Sequence, residues 1–267
     1  MRLALFDLDH TLIPIDSDHA WGEFLVRNGK VDAGAFARAN DRFFDQYRDG
    51  TLNIDAYLRF ALEPLARIPR EDLVQLHRTY MEEVVEAAIL PQALALLASH
   101  RDRGETCIVI TATNEFVTAP IAQRLGVEHL IACRAQQVGG RYTGLPTGIA
   151  SFREGKFLRL IEWLEVWGGL NKDDGSAIER LLAEAVFYSD SANDLPLLER
   201  VGHPVATNAD AKLRDHAQRR GWRTLELFAD APRAPIAGVE SADQPPAQPA
   251  YGALLATDTA PSSLPRP

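Results

Sequence analysis

Residues 3–12 read LALFDLDHTL, an apolar run that leads directly into acidic and turn-forming residues. The run predicts a buried strand of a parallel sheet, because strands that are covered on both faces are continuously apolar. Alternation along an extended chain would place Asp7 and Asp9 on the same side. A Mg²⁺ ion, which prefers hard oxygen ligands, would relieve their mutual repulsion and bring an anionic phosphate alongside. From these residues alone, a capped turn explains the pair equally well.

Two further apolar runs end in polar residues in the same way. Residues 107–110 lead into Thr111, and residues 185–188 lead into Ser189 and Asp190. Ligands collect outside the carboxyl ends of parallel strands, so the three runs predict one shared site. Strands that alternate with helices predict an α/β fold, a doubly wound and mainly parallel Rossmann-like sheet. Weaker strands are predicted at residues 204–207 and 224–227, a hairpin at 137–143, and helices at 92–100 and 116–125.

The segment between the first two strands lacks any strand pattern. Its apolar residues recur at helical intervals, so we expect a helical insertion. The predicted division is a catalytic core at residues 1–15 and 89–228, a helical cap at 16–88, and a disordered tail at 229–267. The tail is predicted from its content of proline, alanine and other small or polar residues.

Composition excludes several classes of protein. With 267 residues and a formal net charge of -9, the chain has no basic stripe of the kind that grips nucleic acid. No apolar stretch approaches the roughly 18 residues that span a bilayer, so we expect no membrane partner and a cytoplasmic location. Cys107 and Cys133 lie in no zinc-binding pattern. The sequence leaves the oligomeric state open.

A second acidic constellation lies in residues 188–195, which read YSDSANDL. Asp190 and Asp194 are four residues apart, and a turn that leads into a helix lets both face one metal ion. Asn193 is placed to hold a metal-bound water or to orient a carboxylate. Asp190 or Ser191 is also a suitable N-cap for that helix, which is compatible with the metal site.

Candidate phosphate ligands occupy two other positions. The Thr111 hydroxyl and the amides from Ala112 onward stand where a strand gives way to a helix, a turn that donates hydrogen bonds to phosphate. An N-cap role explains Thr111 as well. Lys156 lies at the start of a predicted helix, where a cation is unfavourable for the helix dipole, which suggests a role beyond helix stability. The alternative is a solvated surface lysine.

Taken in order, these pieces resemble the haloacid dehalogenase superfamily of phosphohydrolases over about residues 1–228, and the inserted helices resemble the cap of its phosphoserine-phosphatase-like branch. The resemblance implies that Asp7 is the nucleophile that forms an aspartyl-phosphate and that Asp9 is the acid/base group. It also implies Mg²⁺ as cofactor and a small phosphomonoester as substrate. His10 departs from the Gly, Ser or Asn that is common there. The implied metal ligands are the Asp7 carboxylate, the Asp9 carbonyl, Asp190 and Asp194, and the implied phosphate ligands are Thr111, Ala112, Lys156 and Asn193.

Asp16, Asp18 and His19 are the residues predicted to contact the leaving group. Asp16 matches the position where phosphoserine phosphatases place a glutamate that holds the substrate amino group. Residues 16–22, DSDHAWG, look like bacterial members of the family that hydrolyse histidinol phosphate, an ester with an amine and an imidazole. Capping of a cap helix by residues 16–18 is the alternative.

Other functions stay open at this point. Phosphoserine is the second candidate substrate and requires a cap cation for its carboxylate, for which Arg38, Arg42, Arg48 and Arg59 are available. A phosphotransfer receiver shares the acidic strand ends, the hydroxyl residue and the lysine, but the helical insertion and the second carboxylate pair argue against it. A binding protein that has kept the fold without activity is a further possibility that the intact motif residues disfavour.

Overall fold

A seven-stranded sheet forms the centre of the protein in a computed structural model that describes residues 1–229. Its strands, in chain order, are β1 (Leu3–Phe6), β2 (Thr106–Asn114), β3 (His129–Val138), β4 (Arg141–Thr147), β5 (Val186–Ser189), β6 (His203–Thr207) and β7 (Arg223–Leu225). They lie in the order β4-β3-β2-β1-β5-β6-β7. All neighbours run parallel except β3 and β4, which are antiparallel. The predicted α/β architecture is confirmed.

The three strands predicted to share a site are adjacent, with β1 between the other two. Leu5 is in register with Ile108 of β2 and with Phe187 of β5. Both weaker strands join the sheet as β6 and β7. The hairpin predicted at 137–143 is longer than expected, because its first strand, β3, has ten residues and belongs to the sheet. Its turn is formed by Gly139 and Gly140, both at positive φ, which glycine adopts without steric cost.

Helices cover both faces of the sheet. They are α1 (Ser17–Arg27), α2 (Ala35–Asp49), α3 (Ile54–Arg67), α4 (Arg70–Tyr80), α5 (Glu86–Ala88), α6 (Pro91–Asp102), α7 (Glu115–Arg124), α8 (Glu154–Val166), α9 (Gly175–Ala183), α10 (Leu195–Leu198) and α11 (Ala211–Arg220). A π-helical segment, Met81–Val85, joins α4 to α5. Helices α1 to α5 all lie between β1 and β2 in the chain, which is the position of the predicted insertion. Its treatment as a separate cap stays a prediction.

The core consists of two apolar layers divided by the sheet. Alternate residues of β1 enter different layers, as the period of a strand requires: Ala4 and Phe6 pack with one set of helices, and Leu3 and Leu5 with the other. All four residues are fully buried. Because β1 is fixed on both faces and both edges, the loop that follows it starts from a rigid support.

Except for its first residue, the predicted disordered tail covers residues 230–267. Residues 230–267 lie outside the described residues. Over residues 1–229, no helix is long and apolar enough to cross a membrane.

Candidate active site

Asp7 follows β1 at the middle of the sheet, where the carboxyl ends of the parallel strands meet. Its backbone amide donates to the Tyr188 carbonyl of β5 at 2.9 Å. Leu8 and Leu12 are fully buried and anchor the loop that carries Asp7 and Asp9. The Asp7 carboxylate is therefore held at a fixed point of the sheet edge.

Lys156 is buried against Asp7, so the surface-lysine alternative is wrong. Its Nζ lies 2.8 Å from Asp7 Oδ1 and 2.7 Å from Asp194 Oδ2. Burial alone lowers the pKa of Lys156, but Asp194 and Asp7 outweigh it and raise that pKa. Gly155 makes the placement possible, since a Cβ there would lie 1.9 Å from the Ala150 carbonyl oxygen.

The second acidic constellation lies beside the first. Ser189 donates its hydroxyl to Asp194 Oδ2 at 2.7 Å, and the Asp190 amide donates to the Thr11 hydroxyl at 3.0 Å. Burial, followed by the charges of Asp7 and Asp194, raises the pKa of Asp190 well above its usual range. Burial also raises the pKa of Asp194 to about 6, against the lowering effect of Lys156.

The charge of this group fits a divalent cation. Asp7, Asp190 and Asp194 are three carboxylates that influence one another with a single lysine among them. Hard oxygen ligands in excess of the local positive charge are the donor set that Mg²⁺ prefers. Among residues 1–229, no three Asp, Glu, His or Cys side chains already converge as a metal cluster. The predicted set is partly of another kind, since it includes the Asp9 backbone carbonyl.

Asp9 lies in a different environment from Asp7. Its Oδ2 accepts a hydrogen bond from the Thr113 hydroxyl, and its Oδ1 accepts one from the Ser17 amide, both at 2.8 Å. Burial raises the pKa of Asp9 well above its usual range, and the charges of Asp16 and Asp7 add to the effect. Asp9 therefore retains a proton to higher pH than an ordinary aspartate, which suits a general acid.

Thr111 and Ala112 line the same cleft as Asp7 and Asp9. The Thr111 hydroxyl oxygen accepts a hydrogen bond from the Thr113 amide at 3.1 Å, which leaves the hydroxyl proton available to an anion. Thr113 was missed from sequence. Its signal was the alternation of residues 111 and 113 at the end of β2, which puts both hydroxyls on one side.

The opposite wall of the cleft comes from the insertion. Asp16 caps α1 by accepting the His19 amide at 2.8 Å, so the capping alternative is realised, and it also lines the cleft. His19 lines it too, with Nε2 3.0 Å from Asp41 Oδ1. The cavity between these walls measures about 40 Å³. Sequence reasoning missed the aromatic part of this wall, which consists of Phe43, Phe44, Tyr47 and Tyr57.

Asp18 and Asn193 do not face the cleft as predicted. Both Asp18 oxygens are occupied, one by the Tyr57 hydroxyl at 2.5 Å and the other by Asn114 Nδ2 at 3.2 Å. Burial raises the pKa of Asp18 to about 7. Asn193 donates its side-chain amide to the Tyr47 carbonyl at 3.0 Å and is not among the residues that line the cleft. The structure thus gives both residues contacts between the insertion and the core.

The sequence resembles those of known hydrolases. A sequence model of the haloacid dehalogenase-like hydrolase family matches residues 4–199. A histidinol-phosphatase of Neisseria meningitidis serogroup C is 42% identical over 227 residues, which cover 85% of this chain and 99% of that protein. Phosphoserine phosphatase SerB1 of Mycobacterium tuberculosis is 32% identical over 242 residues, 90% of this chain and 75% of that protein.

A solved structure resembles the whole described fold. A protein of unknown function from Bordetella pertussis Tohama I superposes with a TM-score of 0.76 and 43% identity, covering 85% of this chain and 99% of that one. Identity at this level over nearly all of the other chain extends the similarity beyond the motif residues to the inserted helices.

Proposed function

The chain belongs to the haloacid dehalogenase-like hydrolase family and is a phosphatase, and from that premise we propose that it hydrolyses histidinol phosphate with Mg²⁺ through an aspartyl-phosphate on Asp7. The substrate is a small ester whose leaving group carries an amine and an imidazole. A receiver that only accepts phosphate is disfavoured by membership of a hydrolase family. The 42% identical histidinol-phosphatase supports this choice of ester.

The composition of the cleft wall carries the proposal. Among the described residues that line the cleft there is no arginine or lysine, whereas Asp16 and His19 stand beside Phe43, Phe44 and Tyr47. An amine is favoured by the Asp16 carboxylate, and an imidazole is favoured by flat aromatic faces. The leaving group of phosphoserine carries a carboxylate, which this wall offers no cation. None of Arg38, Arg42, Arg48 and Arg59 lines the cleft.

In the proposed first step, an oxygen of Asp7 attacks phosphorus and the bond to the alkoxide oxygen breaks. Lys156 orients Asp7 through their 2.8 Å contact. The proton retained on Asp9 passes to the departing alkoxide, which would otherwise be a poor leaving group. Covalent catalysis divides one slow displacement into two faster ones.

In the second step, ionised Asp9 takes a proton from water, and the resulting hydroxide oxygen attacks the phosphorus on Asp7. The Asp7 carboxylate is released together with phosphate, and Asp9 is protonated again. The Thr111 hydroxyl and Lys156 bind phosphoryl oxygens whose charge changes during both steps. Bound by Asp7, the Asp9 carbonyl, Asp190 and Asp194, Mg²⁺ would supply positive charge to those oxygens.

A three-substrate panel tests the assignment. We would measure phosphate release with Mg²⁺ from histidinol phosphate, phosphoserine and phosphoethanolamine, each with the wild type and with Asp7→Asn. We expect the highest kcat/KM for histidinol phosphate, less for phosphoethanolamine, which lacks the imidazole, and least for phosphoserine. Asp7→Asn should abolish all three activities. Equally slow turnover of the three esters would contradict the histidinol assignment, and preferred turnover of phosphoserine would favour the second candidate.

Asp16→Asn separates recognition of the amine from catalysis. It removes the charge and keeps an oxygen that can cap α1. We expect a KM for histidinol phosphate that is higher by about tenfold, equivalent to about 1.4 kcal/mol, with a smaller effect on para-nitrophenyl phosphate, which has no amine. An equal effect on both esters would argue against contact between Asp16 and the amine.

A further inference from the structure

The carbonyl end of α2 is held by side chains from three separate parts of the core. Arg153 Nη2 donates to the Gly50 carbonyl at 2.5 Å, Asn193 Nδ2 to the Tyr47 carbonyl at 3.0 Å, and Lys212 Nζ to the Asp49 carbonyl at 2.9 Å. The last carbonyls of a helix lack the i+4 amide that the others accept, and they carry partial negative charge. Of these three, the Tyr47 carbonyl also accepts a backbone amide, that of Gly50. Two cations and an amide therefore satisfy this helix end from outside.

The arginine is itself positioned by several contacts. Arg153 Nε and Nη2 both donate to Asn193 Oδ1 at 3.2 Å, and its guanidinium lies 4.9 Å from the centre of the Phe152 ring. Its backbone has φ 52° and ψ -123°, a conformation that residues with a Cβ rarely adopt. Such an outlier persists only where the surroundings determine it, and it is grounds for a functional hypothesis.

The chain segments that contain Arg153 and Asn193 also contain residues of the proposed reaction centre. Arg153 precedes Lys156 by three residues, and Asn193 directly precedes Asp194. On the side of the insertion, Tyr47 lines the cleft, and the charges of Asp7, Asp190 and Asp194 contribute to its raised pKa after burial. The last turn of α2 thus presents an aromatic ring to the cleft while its carbonyls are bound by the core.

We propose that Arg153, Asn193 and Lys212 form a clamp that holds α2 and its Tyr47 over the reaction centre, and that Arg153 is a positioning residue for the leaving group. The inference goes beyond the proposed function, because it concerns how the insertion is held and not which ester is cleaved. Loss of the clamp lets the end of α2 separate from the core, so a bound leaving group loses the Tyr47 wall. The phosphate ligands themselves remain in place.

Hydrogen exchange provides a test that involves no substrate. In Arg153→Ala, we expect faster exchange at residues 46–53, whose amides include those of Gly50 and Thr51 bonded within the helix end, and unchanged exchange in β1. Lys212→Ala, at an exposed position that should not disturb folding, should show the same local effect at smaller size. Arg219→Ala on the same helix, α11, is the matched control and should change neither region.

Kinetics adds a second readout. For the best amine-bearing ester, Arg153→Ala should raise KM about tenfold, or about 1.4 kcal/mol, with kcat within about threefold. Arg153→Lys, which retains one charged donor, should recover part of the KM, and para-nitrophenyl phosphate should be less affected. Unchanged exchange at residues 46–53 in both Arg153→Ala and Lys212→Ala would overturn the clamp. So would faster exchange throughout β1 with a uniform loss of kcat, which would indicate a merely structural arginine. Failure of the histidinol assignment alone would leave the exchange result intact.

Discussion

The backbone amide of Ser17, the first residue of α1, donates a 2.8 Å hydrogen bond to Oδ1 of Asp9. The inserted helices therefore contact the proposed acid/base group through their first residue, in addition to covering the cleft. Ser17 is in turn held by the Tyr80 hydroxyl, which donates to its carbonyl at 2.8 Å. Burial and the charges of Asp16 and Asp7 raise the pKa of Asp9, and they outweigh the hydrogen bonds from Ser17, which lower that pKa.

Asp9→Asn should separate the two chemical steps. Asparagine keeps an oxygen for Ser17 or Thr113 but has no proton to exchange, so kcat should fall by about 10² to 10⁴. With para-nitrophenyl phosphate, whose leaving group departs without protonation, Asp7 should still be phosphorylated while its hydrolysis stops. The measurement is the fraction of protein that carries one phosphoryl group, by intact mass after acid quenching.

The matched control for that experiment is Asp45→Asn, which removes an exposed carboxylate of α2. It should show wild-type kcat and no accumulation of phosphorylated protein. If Asp9→Asn keeps kcat within about threefold of the wild type, Asp9 is not the acid/base group.

Lys156→Met should destabilise the protein, because it leaves Asp7 and Asp194 buried without their shared cation. Removal of one partner from a buried ion pair costs about 3 to 5 kcal/mol. The loss should be smaller at about pH 5, below the pKa of about 6 to which burial raises Asp194, because a protonated Asp194 carries no charge that needs the lysine. Denaturant unfolding in EDTA measures it. Lys172→Met, at an exposed lysine, is the control and should change stability by less than about 0.5 kcal/mol. Equal stability of both variants would contradict the role of the buried pair.

Mg²⁺ should stabilise the folded chain as well as activate it. A cation that binds only the folded state at about 100 times its Kd adds about 2.7 kcal/mol. Asp190→Asn should fold but lose most of that Mg²⁺-dependent rise in Tm, because it removes one of the proposed carboxylate ligands. The pKa of Asp190 is raised by burial and then by the charges of Asp7 and Asp194, which shows that the three carboxylates are neighbours. A full Mg²⁺ response in Asp190→Asn would exclude Asp190 from the metal site.

The sequence predicted that acidic side chains gather at the carboxyl edge of the sheet, and it could do so because the evidence for that edge is local. Asp7 and Asp9 follow an apolar strand directly, and the turn that carries Asp190 does the same. Contacts across the insertion had no such signal. The bond between Tyr57 and Asp18 joins residues 39 apart in the chain, and it uses the carboxylate that sequence reasoning assigned to the substrate. Nothing in the local pattern around Asp18 distinguishes a cleft ligand from a buried partner of a distant tyrosine.

The aromatic wall was missed for a related reason. Phe43 and Tyr47 are spaced by four residues, which puts them on one face of a helix, but helical spacing does not tell which surface that face covers. The arginines of the insertion illustrate the converse: their charges are evident from sequence, yet Arg42 and Arg48 lie outside the cleft lining. Tertiary structure determines which residues of α2 line the cleft and which do not, because the position of α2 over the edge of the sheet depends on how the insertion packs against the core.

Asp18→Asn should change how stability depends on pH. Burial raises the pKa of Asp18 from its ordinary 3.8 to about 7 in the folded protein. Between these values the folded state keeps a proton that the unfolded state has lost, so this group's contribution to stability declines as pH rises from about 4 to about 7. Asparagine resembles the protonated carboxyl and does not titrate. The variant should therefore gain stability relative to the wild type, by about 3 kcal/mol at most, between about pH 5 and about pH 8.

Unfolding by urea at the two pH values measures that difference, and titrations common to both proteins cancel in it. Asp55→Asn is the matched control, since Asp55 lies exposed in the first turn of α3, the helix that carries Tyr57. Its stability should run parallel to the wild type over this range. Parallel curves for Asp18→Asn as well would mean that Asp18 is ionised in the folded protein at about pH 5. The hydrogen bonds from Tyr57 and Asn114 would then outweigh the cost of burying its charge.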